Sequence, residues 1–525
     1  MPVFKRDKSK KRLTKLLGMS ELEELTQLIW AVDAIQSGRA DKAIDFLRFP
    51  PDAASNRIDA QKAIHKWELE TIFGERLRLP ASLKKGRRSL KCNEFSSAAN
   101  LVNALRRLED SEAGMLLKRR SVFGELHRIS HRQFPWQRGY LNVPHFYRSA
   151  FIYGHDACRG YFETTYSVDM DKFSLVGFGL FAAFYARPLI SPKISLEFLG
   201  VSEDELVSAC RLMVARTGKI SQEYEGLLKV MRADSLDTAY RPCVLRKFPI
   251  IEFDARNPRL RCPLPQLIIY RITNGLYYDI VGGGQRLLNE ASDRFEQYSS
   301  EFIQAMMPTF QVSRASRYVV GLRNFETPDI FVKSNGVVEV IIECKATKLS
   351  FQAQFGADLV SEADRGLREI AKGVFQIWRY ISHVRLGYVS EAISPAVRNV
   401  VLTLDTWVMM SRDFNGEILA VARRLAEADP DISPEDMRPI TICSIEDLEA
   451  TFRRADEQNF LDALTAAVQD RFSGWLLSSI DRELTREAGV ERQPRPFPFE
   501  LGNVLPWWAK TDDLRRATNL ANSRP

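Results

Sequence analysis

The sequence predicts a C-terminal α/β sandwich preceded by a mostly α-helical domain. Three observations carry that expectation. Apolar residues recur at helical spacing from Ser20 to about residue 240, strand-like runs begin near residue 245, and strands then alternate with helices down to residue 447. The chain has 525 residues, too many for one ordinary core, so two to four domains are expected. Residues 1–15 read as a basic, flexible tail, 16–244 as a helical recognition or partner domain, 245–485 as the α/β domain and 486–525 as an irregular tail.

Composition excludes several classes. With 45% apolar and 27% charged residues the chain is globular. Its longest uncharged apolar run, Phe173 to Ala186, is shorter than the roughly 18 to 20 residues a membrane helix needs, so no membrane partner is expected. No apolar segment and cleavage site follow the charged N-terminus, which predicts a cytoplasmic protein. The seven cysteines form no C-x-x-C pair, which points to reduced thiols. Of the net charge of +7, residues 1–15 supply nearly all, with seven Lys/Arg against Asp7; a uniformly basic coat is excluded, and any nucleic-acid surface must be local.

In the helical half, Leu22, Leu25, Leu28 and Ile29 share one face, and Ala60, Ala63, Ile64 and Trp67 repeat the pattern. Two basic clusters follow. Lys84, Lys85, Arg87, Arg88 and Lys91 fall in an expected loop. Lys118, Arg119 and Arg120 lead into Arg128, Arg132 and Arg138, interleaved with Phe123, Phe134, Trp136 and Tyr140. Cations neutralise phosphates and aromatics offer stacking platforms, so nucleic acid is one reading; a solvated helix face beside core aromatics is the other. His127 and His131 stand one helical turn apart and His155 precedes Cys158 by three, yet zinc sites usually show two tight Cys-rich ligand pairs, so ordinary hydrogen-bonding histidines are expected.

Near residue 245 the texture changes. Lys247 to Phe253 is strand-like, Leu264 to Ile280 apolar, and Gly282-Gly283-Gly284 a hinge without the Lys-Ser/Thr of a P-loop. A helix follows from Gln285 to Met306 with Leu288, Phe295, Phe302 and Ile303 on its core face and Glu296 beside it. The stretch from Thr327 to Lys345 then reads as a hairpin. Alternation puts Glu339, Ile341, Glu343 and Lys345 on one face and Val338, Val340, Ile342 and Cys344 on the other. Asp329 shares the Glu343 face only if Ser334-Asn335-Gly336 forms a three-residue turn, or if a bulge has the same effect.

Two carboxylates converging there suit a hard divalent cation, Mg²⁺ or Mn²⁺, with the backbone carbonyl of Cys344 as a further ligand. Lys345 is placed to position a water or stabilise a transition state, and hydrolysis of a phosphodiester is the chemistry such a set performs. Helical periodicity resumes with Leu367, Ile370, Val374, Ile377 and Ile381 as a core stripe, while Lys372, Gln376 and Tyr380 line another face at one-turn spacing. Beyond it, Arg398 to Trp407 and Arg438 to Cys443 read as strands, Asn415 to Ala426 as a helix, and Ser444 to Asp447 as a helix cap. Pro494, Pro496 and Pro498 mark an irregular tail ending on Trp507-Trp508, a pair that docks on a core more often than on a partner.

These residues resemble the PD-(D/E)XK nuclease superfamily. Pro328-Asp329 is similar to its PD, Glu343-Cys344-Lys345 to its (D/E)XK, and Gln376-Ile377-Trp378-Arg379-Tyr380 to the Q-h-x-x-Y signature of its RecB-like branch. The resemblance covers residues 285–385 closely and 245–450 loosely. It implies a restriction-endonuclease-like α/β/α sandwich, Asp329 and Glu343 as metal ligands, Lys345 as the catalytic lysine, and Glu296 as the further acid, with Glu290 competing for that part. It also implies DNA as substrate ahead of RNA, and the family's habits suit a bacterial defence effector. The four-cysteine iron–sulfur pattern of that branch is absent. Two other readings stand beside it. One is a non-catalytic nucleic-acid-binding or scaffold protein keeping the fold; the other is a nuclease that needs a partner protein or an activating ligand.

Overall fold

The computed structural model describes residues 2–79, 89–116, 122–233, 236–356, 359–405 and 412–509. Its N-terminal part is built of helices, as the periodicity predicts, and the correction comes at the start of the chain. Instead of a flexible tail, Pro2–Gly18 is a helix packed along the helix Phe95–Leu116. Leu13 and Leu17 lie one turn apart and are both buried, and Arg6 reaches Glu112 at 3.4 Å. The short apolar pair anchors a helix whose other faces are basic and solvated, so charge count concealed it.

The chain also pairs across the expected boundary near residue 245. A four-stranded sheet of order β1-β4-β3-β2 joins β1 (Leu189–Ile190), β2 (Val214–Arg216), β3 (Ile250–Phe253) and β4 (Arg259–Arg261), so it straddles that position. β1 and β2 are two and three residues long, too short to leave an alternation in the sequence. One contiguous buried cluster runs from Leu13 to Trp507, so the helical part and one face of the C-terminal sheet share a core. The apolar run at Phe173 lies in the buried helix Met170–Ala186, whose Gly177 sits so close to the helix Gln266–Ile272 that a Cβ there would meet Ile272 at 2.4 Å. No helix among the described residues is long and apolar enough to cross a membrane.

The C-terminal part is a five-stranded mixed sheet of order β11-β10-β9-β8-β5. Its strands are β5 (Gln311–Arg314), β8 (Ile330–Ser334), β9 (Val337–Lys345), β10 (Ile393–Thr403) and β11 (Ile440–Ser444). β9, β10 and β11 run parallel, and β8 is antiparallel to both β9 and β5. A separate hairpin of β6 (Arg317–Val320) and β7 (Arg323–Glu326) precedes β8. Leu367, Ile370, Val374, Ile377 and Ile381 are all buried, so the helix Leu359–Arg385 covers one sheet face, joined there by Arg412–Glu427. Each such side chain contributes about 1.5 to 3 kcal/mol on burial. The helices Gln285–Met306, Ile445–Phe452 and Glu457–Ala467 cover the opposite face.

The C-terminal segment is irregular yet docked. Phe497 and Phe499 stack among Tyr147, Tyr298 and Phe302, and Trp507 donates to Ser174 Oγ at 2.9 Å. A buried polar network also ties the helical part to the sheet: Arg148 pairs with Glu449, which accepts from Tyr298 at 2.6 Å, and Arg148 reaches Glu446 at 3.4 Å. Burial alone would raise Glu446, but Arg138 and Arg148 hold it down at about 2.

Candidate active site

The β8–β9 hairpin sets the register of the acidic residues. Asn335 and Gly336 both adopt left-handed backbone, with φ of +50° and +79°, which makes a two-residue turn of the primed type. The expected three-residue turn is therefore replaced by the tighter one. A bulge performs the alignment. Ser334 faces Val337 and Lys333 faces Val338, but Val332 faces Val340, so Glu339 is the extra residue. Past the bulge Ile330 faces Ile342, which puts Asp329 across from Glu343; without it Asp329 would face Ile342. The bulge also removes Glu339 from the predicted face, and it pairs with Arg398 at 2.8 Å, while Val338 joins Ile341 against the helix Leu359–Arg385.

Glu343 is 2% exposed, and its Oε1 accepts from Lys345 Nζ at 2.8 Å. Lys345 Nζ donates in turn to Gln376 Oε1 at 3.0 Å. Asp329 Oδ2 accepts the backbone N–H of Cys344 at 2.7 Å, while the Cys344 thiol lies in the opposite core as alternation requires. Glu296 comes from the helix Gln285–Met306 and is linked to Arg314 of β5 at 3.4 Å. Its rival Glu290 pairs with Arg286 and His155 instead.

The electrostatics bind these groups into one unit. Burial raises Glu343 to about 8, Lys345 opposes the rise, and Asp329 and Glu296 add to it. Burial raises Glu296 to about 7, with the Asp329 charge as the next largest cause. Asp329 is raised by burial too, against the pull of the Cys344 N–H and Lys345. Three carboxyl groups in a dry place repel one another, and Lys345 offsets only part of that charge.

Among the described residues no three Asp, Glu, His or Cys side chains form a ready metal cage, so the expected convergence of Asp329, Glu343, Glu296 and the Cys344 carbonyl is not preformed. The donor chemistry nonetheless fits a hard cation. Glu343 Oε2 is buried with no hydrogen-bond partner, an acceptor left over beside two further carboxyl groups.

Other expected residues fall elsewhere. Tyr380 is 1% exposed, and its ring packs against Phe331 and Tyr318. Its charged neighbour is Glu391, which pairs with Lys333 near the turn of the hairpin, so Tyr380 is a core residue away from the acids. Tyr380 lies one helical turn beyond Gln376, over Phe331 of β8. Lys372 is exposed and paired with Glu369. Lys84, Lys85, Arg87, Arg88, Lys118, Arg119 and Arg120 lie outside the described residues.

The remainder of the second basic cluster is structural. Arg128 is 1% exposed, pairs with Glu125 and Asp237 and lies 3.8 Å from the Tyr240 ring. Arg132 pairs with Glu109, Arg138 with Glu446, and Trp136 donates to Glu70 at 2.7 Å. His127 bonds the Ala353 carbonyl at 3.0 Å.

Sequence reasoning missed Gly373. A Cβ at this helix position would meet Lys345 Cε at 2.9 Å and Glu343 Cγ at 3.2 Å, so the glycine lets the helix settle on the two site side chains. The available signal was a glycine inside a strongly amphipathic helix, where it costs about 1 kcal/mol against alanine. Gly373→Val is expected to displace Lys345 and to lower the phosphodiester cleavage proposed below at least tenfold, with retained helical circular dichroism; unchanged turnover would show that the close approach has no functional role. No family model, curated protein or solved structure matches the chain.

Proposed function

We propose that this chain is a divalent-metal-dependent nuclease of restriction-endonuclease-like fold, hydrolysing phosphodiester bonds in DNA ahead of RNA. One observation carries the reading. Glu343, buried and with one oxygen unpartnered, lies across from Asp329 and is bridged through Lys345 to Gln376, in the order and spacing of a PD-(D/E)XK site. Asp329, Glu343 and Glu296 would hold Mg²⁺ or Mn²⁺, with the Cys344 carbonyl as a further donor. When bound, the cation would supply charge neutralisation at the phosphate and lower the pKa of water. Gln376 and Glu343 hold the Lys345 ammonium in a fixed place, where it offsets charge developing on the phosphate oxygens. The helix Gln285–Met306 brings Glu296 within electrostatic reach of Asp329 and Glu343, and Arg314 restrains it. A bacterial defence role suits such a nuclease and is part of the proposal.

The test is incubation of the purified protein with plasmid, linear and single-stranded DNA and with RNA, in Mg²⁺, Mn²⁺ or EDTA. Cleavage of DNA in either metal and none in EDTA is expected. Cleavage of equal rate in EDTA would overturn the reading. Divalent-cation binding by calorimetry, lost in Asp329→Ala, applies even if turnover needs a partner or ligand.

A further inference from the structure

A cavity lies away from the acidic cluster. It encloses about 870 Å³ between the helical part and the short helix Phe351–Phe355, which follows β9. A second chamber of about 390 Å³ adjoins it and shares Arg246, Tyr270, Tyr278 and Gln354 as wall. Both fall in the range of about 300 to 1,000 Å³ typical of small-molecule sites. Asp329, Glu343, Lys345 and Gln376 line neither.

The wall of the larger chamber has a definite chemistry. Six cations face it, Arg132, Arg211, Arg241, Arg246, Lys247 and Arg271, against three carboxylates, Glu70, Glu223 and Asp279. Those carboxylates are matched by Arg246, Lys247 and Arg271. Arg132 and Arg241 are held by Glu109 and Glu75, neither of which lines the cavity. The Nε of each is buried without a hydrogen-bond partner, as is the hydroxyl of Tyr140 in the second chamber. Aromatic rings share the wall, among them Trp67, Tyr240, Tyr270 and Phe355. Guanidinium groups beside flat rings recognise a phosphate attached to a planar base.

We propose that this cavity binds a nucleotide. The proposal does not rest on the nuclease reading, though the position of the site bears on it. Lys348, which lines the second chamber, stands three residues beyond Lys345, and Phe351–Phe355 closes the first chamber before the chain turns into the helix that carries Gln376. An occupant therefore touches the segment joining the two sides of the Lys345–Gln376 bond.

The test measures binding in EDTA, without nucleic acid, by calorimetry with AMP, ATP, GMP and GTP, and with adenosine and inorganic phosphate as partial probes. Gly226 lines the larger chamber, and a Cβ there meets nothing within 4 Å, so Gly226→Trp fills space without a backbone clash. At least one nucleotide is expected to bind, at least tenfold tighter than adenosine or phosphate, and at least tenfold more weakly to Gly226→Trp. Hydrogen exchange of the wild-type protein provides a readout that needs no variant: the nucleotide should protect residues 239–248 and 351–355. No binding by any nucleotide, equal binding of phosphate alone, unchanged affinity in a folded Gly226→Trp protein, or protection confined to residues 329–345 would overturn the proposal.

Discussion

Lys345→Ala is expected to lower the rate of phosphodiester cleavage by about 10²- to 10³-fold, the loss typical when a charged group that stabilises a transition state is removed. The ammonium lies between Glu343 Oε1 and Gln376 Oε1, so it is fixed from two elements, β9 and the helix Leu359–Arg385. Lys345→Arg is expected to rescue little, because the larger planar head does not fit where the lysine stem already touches the Gly373 position. The fold should persist in both, since the helix is held by its buried stripe from Leu367 to Ile381 and not by this bond. Single-turnover cleavage beside a melting curve separates the two effects. Full activity in Lys345→Ala would remove the lysine from the mechanism.

The second large effect is on stability. Glu449→Ala is expected to cost about 3 to 5 kcal/mol, because it leaves the buried Arg148 guanidinium without its closest carboxylate and Tyr298 without its acceptor. Glu446, at 3.4 Å from Arg148, limits the loss without replacing the bond. Arg286→Ala, which breaks only the solvent-exposed arginine's pair with Glu290 one helical turn away, is the control and should cost about 0.5 kcal/mol or less. Urea denaturation measures both. Equal, small effects would mean that the buried network does not hold the helical part to the sheet.

The fold and site were legible in the sequence where a local rule carried the information. The common side of Glu343 and Lys345 was legible because strand alternation fixes it, whereas Asp329 joins them only through the register of the hairpin; the structure brings these three together with Gln376. The turn was misread, since Asn335-Gly336 is itself a strong two-residue signal; the bulge at Glu339 depends on how β9 meets β8 and β10 and leaves no mark in composition. Tyr380 shares a helical face with Gln376, but whether a face stays near a strand one turn further on is a matter of packing angle. Arg128, Arg132 and Arg138 fitted a nucleic-acid patch and a solvated helix face alike, because their partners Asp237, Glu109 and Glu446 are distant in sequence. The same holds for the sheet across residue 245, whose shortest strands are recognised only by what they pair with.

The most direct test of the central claim is single-turnover cleavage of linear and plasmid DNA in Mg²⁺ or Mn²⁺ by the wild-type protein and by Glu343→Gln. Glutamine keeps the shape of the buried side chain and an acceptor for Lys345 while removing the carboxylate. Metal-dependent cleavage by the wild type, reduced at least a hundredfold in a variant of unchanged melting temperature, is the predicted result. Cleavage that survives the substitution at the wild-type rate would contradict the assignment of this cluster as the active site.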